Sequence, residues 1–471
     1  MLATGLGGRM VPPRRPWLSA PAQARYDELA ATVPDLDGAG RLARILEVVE
    51  TQQAWVDDRC LNLNAATNLP NPQASRVLAS TLGSRPSLGH PGDKYETGLG
   101  PSEELEVLAA ELCREVFHAE FAEIRMLSGA MANLAVYMSC TAAGDRAMTL
   151  PPEAGGHATH HRNGTAGRYG LDVHPIPLRV ERETASWQID LAQLREDVRE
   201  LRPALVVIGG SLALRPYPIA EVRAICDTVG ATLLFDAAHL CLLIAGGALP
   251  DPLAEGAHVM TMSTYKSLGG PPGGLVVTSD AGIAAVLDGV AFPGLTANND
   301  LGRVAALAVA LNDCLAFGKQ YAIAAVEAAR ALARALDKEG LPVAGLPADF
   351  TSTHHVAVDA RAWGGGTAAA RLLEPANILA TGIGLPLPPV PGDMPGLRLG
   401  VQELVRWGMA ADDMPGVATL IADVLLRRRP AADVCRDVVE LRKAFRTVSF
   451  VTALDDEQGP PGARGEPRGV H

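Results

Sequence analysis

Apolar positions along the chain follow two rhythms that alternate. From Glu103 to His118, the residues Leu105, Leu108, Leu112, Val116 and Phe117 recur mostly at three- to four-residue spacing, which predicts a helix with one apolar side. Short apolar runs follow at Ile124–Leu127, Ala147–Leu150, Leu205–Ile208, Thr232–Phe235, Val259–Met262 and Leu275–Thr278. Runs of that length predict strands buried on both faces. Helical patterns separate several of them, among them Asp190–Leu201, Ile219–Val229 and the segment that the Ser128-Gly129 turn opens. Buried strands alternating with helices imply an α/β architecture, a mostly parallel sheet covered on both faces. Such sheets bind ligands at the carboxyl ends of their strands.

Beyond about residue 300 the pattern changes. An Ala-rich helical stretch over about 301–337 leads into a smaller α+β part, with strands expected at His355–Asp359 and Leu397–Val401. The Pro-rich stretch Leu385–Pro395 reads as a loop along an edge of that part. No internal repeat is visible. The expected organisation is an N-terminal arm and helices over 1–70, a large domain over 71–300, and a linker helix with a small C-terminal domain over 301–454. A polar Gly/Pro-rich tail over 455–471 reads as disordered.

Composition narrows the classes. A chain of 471 residues that is 48% hydrophobic can bury a large core, which excludes fibrous, disulfide-scaffold and mostly disordered proteins. Forty-one basic against 53 acidic residues give a net charge of −12 with no long basic run, so neither nucleic acid nor an anionic membrane is an expected partner. No window of 18 uncharged apolar residues occurs, and the N-terminus lacks the continuous apolar segment of a signal peptide. Seven scattered cysteines without a CxxC read as free thiols, which suits a cytoplasmic protein.

Candidate chemistry lies in two segments, each behind an apolar strand. FDAAH spans Phe235 to His239, and STYKSLGGPPGG spans Ser263 to Gly274. Alone, a buried Asp at a strand end is a cap or an ion-pair partner, and a Lys before a Gly-rich turn is solvated. Together, Asp236 and Lys266 have the spacing of a pyridoxal-phosphate site. There a carboxylate keeps the pyridine nitrogen protonated and a lysine amine forms the imine.

The chain resembles the serine hydroxymethyltransferase family of fold-type I pyridoxal-phosphate enzymes from about Leu61 to Val401. The family's PGxxYYGG appears as PGDKYETG (Pro91–Gly98), and HSGSQAN as LSGAMAN (Leu127–Asn133). HGGHLTHG appears as AGGHATHH (Ala154–His161), and DMAHxAGLIAAG as DAAHLCLLIAGG (Asp236–Gly247). THKTLxGPRGG appears as TYKSLGGPPGG (Thr264–Gly274), and GIRxGTP as GLRLGVQ (Gly396–Gln402). The resemblance implies a sheet of the seven-stranded type, pyridoxal 5'-phosphate as cofactor, an amino-acid substrate and a homodimer. It implies Lys266 as the Schiff-base lysine, Asp236 at the pyridine nitrogen, His239 near the phenolic oxygen and His157 stacked on the ring. It also implies Ser128 and Gly129 at the phosphate and Arg398 on the substrate α-carboxylate. No metal is expected, because His157, His160 and His161 have no acidic or Cys ligand beside them.

Departures from the family pattern are selective. The catalytic glutamate of YxEGYPG aligns with Leu88, its tyrosine with Pro86, and the second tyrosine of YYGG with Glu96, while Tyr95 remains. The serine of ASEN is Ala66, with Asn68 kept; the His before the lysine is Tyr265, and the Arg of GPRGG is Pro272. GGQGG is poorly matched by Gly294–Asn298, and KNSVPxD is replaced by Thr381–Leu387. Groups for the ring and the α-carboxylate survive, and groups for folate and hydroxymethyl transfer do not. The expected activity is therefore folate-independent aldol or retro-aldol chemistry, of threonine-aldolase or transaldolase type, on a β-hydroxy amino acid or glycine, with an aldehyde as possible acceptor. Folate-dependent serine/glycine or α-methylserine hydroxymethyl transfer is the alternative, and racemisation or transamination through the same carbanion is another. With Leu88 in place of glutamate, the proton acceptor is open among His157, Glu96 and Tyr265.

Overall fold

A computed structural model describes residues 14–33, 36–346 and 349–453. The tail expected over 455–471 and the first thirteen residues lie outside the described residues. The chain divides into two compact units at Asp58/Arg59. The first holds the helix Ala20–Thr32 and most of the helix Gly38–Arg59. The former lies in the stretch over 1–70 expected to hold an arm and helices, and it starts where Ser19 accepts from the Ala22 amide and Pro21 lies in the first turn.

The second unit carries a seven-stranded sheet and a three-stranded one. In chain order the strands of the large sheet are β1 (Phe121–Glu123), β2 (Arg146–Thr149), β3 (Asp172–Pro175), β4 (Leu205–Gly209), β5 (Thr232–Asp236), β6 (Val259–Ser263) and β7 (Gly274–Thr278). Their spatial order is β1-β7-β6-β5-β4-β2-β3. Only β7 runs against the others. The fold is thus the expected α/β class with a mainly parallel sheet. Every residue of β4, β6 and β7 is buried, which explains why unbroken apolar runs mark them in the sequence.

Two elements of this sheet differ from the sequence expectation. The strand expected at Ile124–Leu127 lies earlier, at Phe121–Glu123, where it pairs with Val276–Thr278. Beyond Glu123 the chain leaves the ladder, and Arg125 folds back onto Glu123 and Asp288. The edge strand β3 has no apolar run to announce it, since it reads DVHP and is partly exposed.

The smaller sheet joins β8 (His355–Asp359), β9 (Thr381–Ile383) and β10 (Gly396–Gly400) in the order β8-β10-β9, all antiparallel. The helix Leu301–Lys338 links the two sheets in sequence. It is the one described helix long and apolar enough to cross a membrane, and 67% of its most apolar window is buried within the fold.

Parallel strands bring their carboxyl ends to one side. Gly209, Asp236 and Thr261 stand in register there, at the ends of β4, β5 and β6. Gly209 has φ +89°, and a Cβ on it would lie 2.2 Å from the Asp236 carbonyl oxygen, so only glycine lets the chain turn beside that strand end.

The hairpin that carries Leu88 and Glu96 is held by a buried ion pair. Lys94 Nζ lies 2.5 Å from Glu106 on the helix Gly100–Val116, with both side chains at most 10% exposed. Ser87 Oγ and Asn299 Nδ2 donate to the same carboxylate. Lys94→Met, which leaves Glu106 buried without its cation, is expected to cost about 3–5 kcal/mol in urea denaturation. A loss under about 1 kcal/mol would show that the hairpin is held by other contacts.

Candidate active site

The end of β5 places Asp236 where almost no water reaches, at 1% exposure. Burial pushes a carboxyl towards its neutral form, but His160 outweighs this and holds Asp236 well below the usual carboxylate range. His160 Nε2–H donates to Asp236 Oδ2 at 2.7 Å, and this hydrogen bond is the main influence that lowers the Asp236 pKa. On its other edge, His160 Nδ1 lies 2.5 Å from the Tyr137 hydroxyl. The Ala238 amide donates to the second carboxylate oxygen.

A second chain of hydrogen bonds fixes His157. Thr261 Oγ1 on β6 donates to Asn133 Oδ1, and Asn133 Nδ2 donates to Thr159 Oγ1. The Thr159 hydroxyl lies 2.7 Å from His157 Nδ1, and the Thr159 amide donates to the same nitrogen. Nδ1 is therefore an acceptor, and the ring proton sits on Nε2. Burial lowers the His157 pKa to about 4, so the ring is neutral at pH 7.

Lys266 follows β6 and is 5% exposed. Its amine makes no contact with a carboxylate among the described residues; its neighbour is His239 Nε2, 3.1 Å away. His239 Nδ1 is within 3.2 Å of the Ala65 carbonyl, to which it donates, so Nε2 presents a lone pair to the amine. Burial, then the Lys266 and Arg398 charges, keep the His239 ring neutral. Burial lowers the Lys266 pKa to about 8; Asp236 draws it up and Arg398 pushes it down. A useful share of the amine is then an uncharged nucleophile near neutral pH.

Arg398 enters from β10 and is 6% exposed. Nη1 donates to the Ser211 carbonyl at 2.5 Å, and Nε and Nη2 donate to Thr381 Oγ1. No carboxylate pairs with it among the described residues, and burial lowers its pKa to about 10. One N–H on each terminal nitrogen is left for a planar, two-oxygen anion.

Ser128 caps the helix Gly129–Cys140, its Oγ accepting from Met131 N. A Cβ on Gly129 would lie 2.2 Å from Ser263 Oγ, so that helix start packs against the end of β6, three residues before Lys266. A Cβ on Gly274 would lie 2.2 Å from the Ser128 carbonyl. The result is a glycine-walled helix N-terminus, a fit for a phosphate. A buried ionised carboxylate, a low-pKa lysine and this cradle together fit the donor set that pyridoxal phosphate requires.

The remaining candidates lie elsewhere. Glu96 Oε2 accepts from the Leu88 amide within the hairpin. Tyr265 is 37% exposed and lines a cavity of about 220 Å³ with Asn68, Leu78, Pro271 and Pro272. Neither has a hydrogen bond to Lys266 or His239 among the described residues. The sequence reading missed His160 as the partner of Asp236, although its three-residue spacing from His157 was the available signal. It also missed His354 and His355, buried at 0% exposure with ring centroids 4.1 Å apart. His355 lies 5.4 Å, centroid to centroid, from His239.

The serine hydroxymethyltransferase family model matches residues 42–421. The chain belongs to the serine hydroxymethyltransferase family. It is 49% identical to an alpha-methylserine aldolase of Ralstonia sp. over 441 residues, 93% of this chain and 99% of that protein. It is 40% identical to the serine hydroxymethyltransferase of Methanopyrus kandleri, over 86% of this chain and 94% of the relative. Among solved structures, the L-threonine transaldolase of Pseudomonas fluorescens matches with a TM-score of 0.79 at 26% identity, over 89% of this chain and 96% of that one. The family is one of fold-type I pyridoxal-phosphate enzymes, and the chain is an enzyme of that aldolase, transaldolase and hydroxymethyltransferase group.

The buried histidines make stability depend on pH. His354 has no hydrogen-bond partner at either nitrogen among the described residues, and burial holds its pKa at about 3. An unfolded histidine takes up its proton near pH 6.5. Below that pH the unfolded chain binds the extra proton, so stability is lost as pH falls from about 6.5 towards 3. His354→Leu is expected to flatten the pH dependence of urea unfolding between pH 6 and 4 by about 1.4 kcal/mol per pH unit, one proton's worth. An unchanged slope would mean that His354 is not held neutral.

Proposed function

We propose that the protein is a pyridoxal-phosphate-dependent aldolase that cleaves β-hydroxy-α-amino acids of the α-methylserine type without tetrahydrofolate. The observation that carries this is an Arg398 fork with no acidic partner among the described residues, close enough for its charge to act on a Lys266 amine of pKa about 8. Such a pair suits a substrate bearing a carboxylate and an amine on one carbon. Support for the α-methylserine class comes from the 49% identical aldolase, which matches over nearly its full length. Support for folate independence comes from Leu88, Pro272 and the Thr381–Leu387 segment, which replace the family's glutamate, arginine and pterin-binding residues.

When bound, the cofactor supplies an electron sink for the pair left on Cα as the Cα–Cβ bond breaks. Asp236 holds a proton at the ring nitrogen, because its carboxylate stays ionised through His160 and Tyr137. His157 would offer its flat, neutral face to the ring, with its own proton on Nε2. Ser128 and Gly129 hold the phosphate through the first amides of their helix. His239 Nε2 orients the Lys266 amine and favours its neutral form. Arg398 grips the α-carboxylate, and Thr381 and Ser211 fix its plane. Leu88 cannot accept the β-hydroxyl proton, so the Lys266 amine, of pKa about 8, would take it and return it to Cα.

The protein is further read as a homodimer. Leu42, Ile45, Leu46 and Val49 form an exposed stripe on the helix Gly38–Arg59, and light scattering should give twice the 49.2 kDa chain mass.

Incubation with pyridoxal phosphate and α-methylserine, without tetrahydrofolate, is expected to release formaldehyde and alanine. Lys266→Ala should lower the rate at least about a thousandfold. Arg398→Lys should raise KM about tenfold or more. Formaldehyde released only when tetrahydrofolate is added would overturn this reading in favour of hydroxymethyl transfer.

A further inference from the structure

In the small sheet, His355 pairs with Gly400, while Ala357 and Thr381 both pair with Arg398. Opposed residues share a face, and so do residues two apart on one strand. His355, Thr381 and Arg398 therefore share one face. The loop after β4 covers it: the Ser211 carbonyl accepts from Arg398, and the Ala213 amide donates to His355 Nδ1 at 3.3 Å. That bond fixes the tautomer, since Nδ1 is the acceptor and Nε2 carries the hydrogen.

His355 Nε2 is fully buried and has no partner in the described structure. Its neighbour His239 cannot serve, because both nitrogens of that ring are committed, to Ala65 and to Lys266. An orphaned buried donor costs free energy unless a ligand accepts from it. The segment that could have supplied another donor here does not. A Cβ on Gly400, opposite His355, would lie 2.6 Å from Ala65 Cα, so residues 65–66 lie close by, and Ala66 carries a methyl where the family segment has serine.

We propose that His355 is a specificity-determining residue, whose Nε2–H donates to the substrate α-carboxylate beside the Arg398 fork. The inference rests on the reading that Arg398 receives that carboxylate. A neutral donor beside one guanidinium binds a carboxylate without adding a second buried charge. Burial keeps the ring neutral, and the Arg398 charge works in the same direction.

The test compares the intact enzyme with His355→Leu, using α-methylserine and its carboxamide as ligands. Dissociation constants come from spectral titration of the holoenzyme, and KM and kcat from formaldehyde release. His355→Leu is expected to weaken binding of the acid about 10- to 100-fold, as for a hydrogen bond to a charged group. The loss should fall on KM more than on kcat, and it should largely vanish for the carboxamide. His355→Asn, which keeps a donor, should recover part of it. His355→Phe takes the place of the leucine variant if that one does not fold. If Arg398→Lys weakens acid binding while His355→Leu and His355→Phe leave it unchanged, this inference is wrong and the proposed function stands. If Arg398→Lys also leaves it unchanged, the proposed function falls with it.

Discussion

An ionised carboxylate buried at the end of the central strand is the constraint around which the pocket is organised. Removing a carboxylate from water costs several kcal/mol unless a partner compensates. For Asp236 the compensation comes from His160, and it reaches further back to Tyr137. Each partner dictates local sequence. Tyr137 and Asn133 stand four residues apart on the helix Gly129–Cys140, so one face of that helix serves both His160 and Thr159. His157 and His160 flank a single 3₁₀ turn, which separates their tasks. One contacts the carboxylate, and the other is locked by Thr159 with its proton outward.

The cationic half of the site follows the opposite rule. Lys266 and Arg398 are buried without a carboxylate in contact among the described residues, and their hydrogen-bond partners are an imidazole, a hydroxyl and a backbone carbonyl. Imidazole suits this place. It satisfies one hydrogen bond without neutralising the lysine or the arginine, so both stay available to anionic and carbonyl ligands. The overall charge of −12 says nothing about this local field, which the fold sets by burying two cations beside one anion.

Much of this was legible in the sequence, and the reason is physical. Strands buried on both faces need unbroken apolar runs, so β2, β4, β5, β6 and β7 announce themselves, and Asp236 and Lys266 stand out as polar residues just behind such runs. Elements with one wet face or few residues do not. The strand β3 contains Pro175 and two half-exposed positions, and β9 is three residues long with a glycine at its centre. The sheet pairing that puts His355 beside Arg398 joins residues more than forty positions apart, through strands whose register no local pattern specifies. His160 was visible as a residue but not as a partner of Asp236, because that contact spans 76 positions.

The departures from the family are confined by the same geometry. Asp236, His239 and Lys266 are tied to strand ends, where a change would disturb the sheet as well as the chemistry. Leu88 and Glu96 belong to a hairpin that hangs on one ion pair, Lys94 with Glu106, and on hydrogen bonds of its own. Residues at such a place can change without cost to the core. The same holds for Thr381, whose hydroxyl serves Arg398 from an edge strand. This chain keeps the motif residues that would hold a cofactor and an amino acid, and it departs from the motifs at Leu88, Pro272 and Thr381–Leu387. Leu88, which stands where the family segment has a glutamate, has neither a charge nor a proton acceptor to offer. The same fold thus serves an aldolase, a transaldolase and a hydroxymethyltransferase among the proteins this chain resembles.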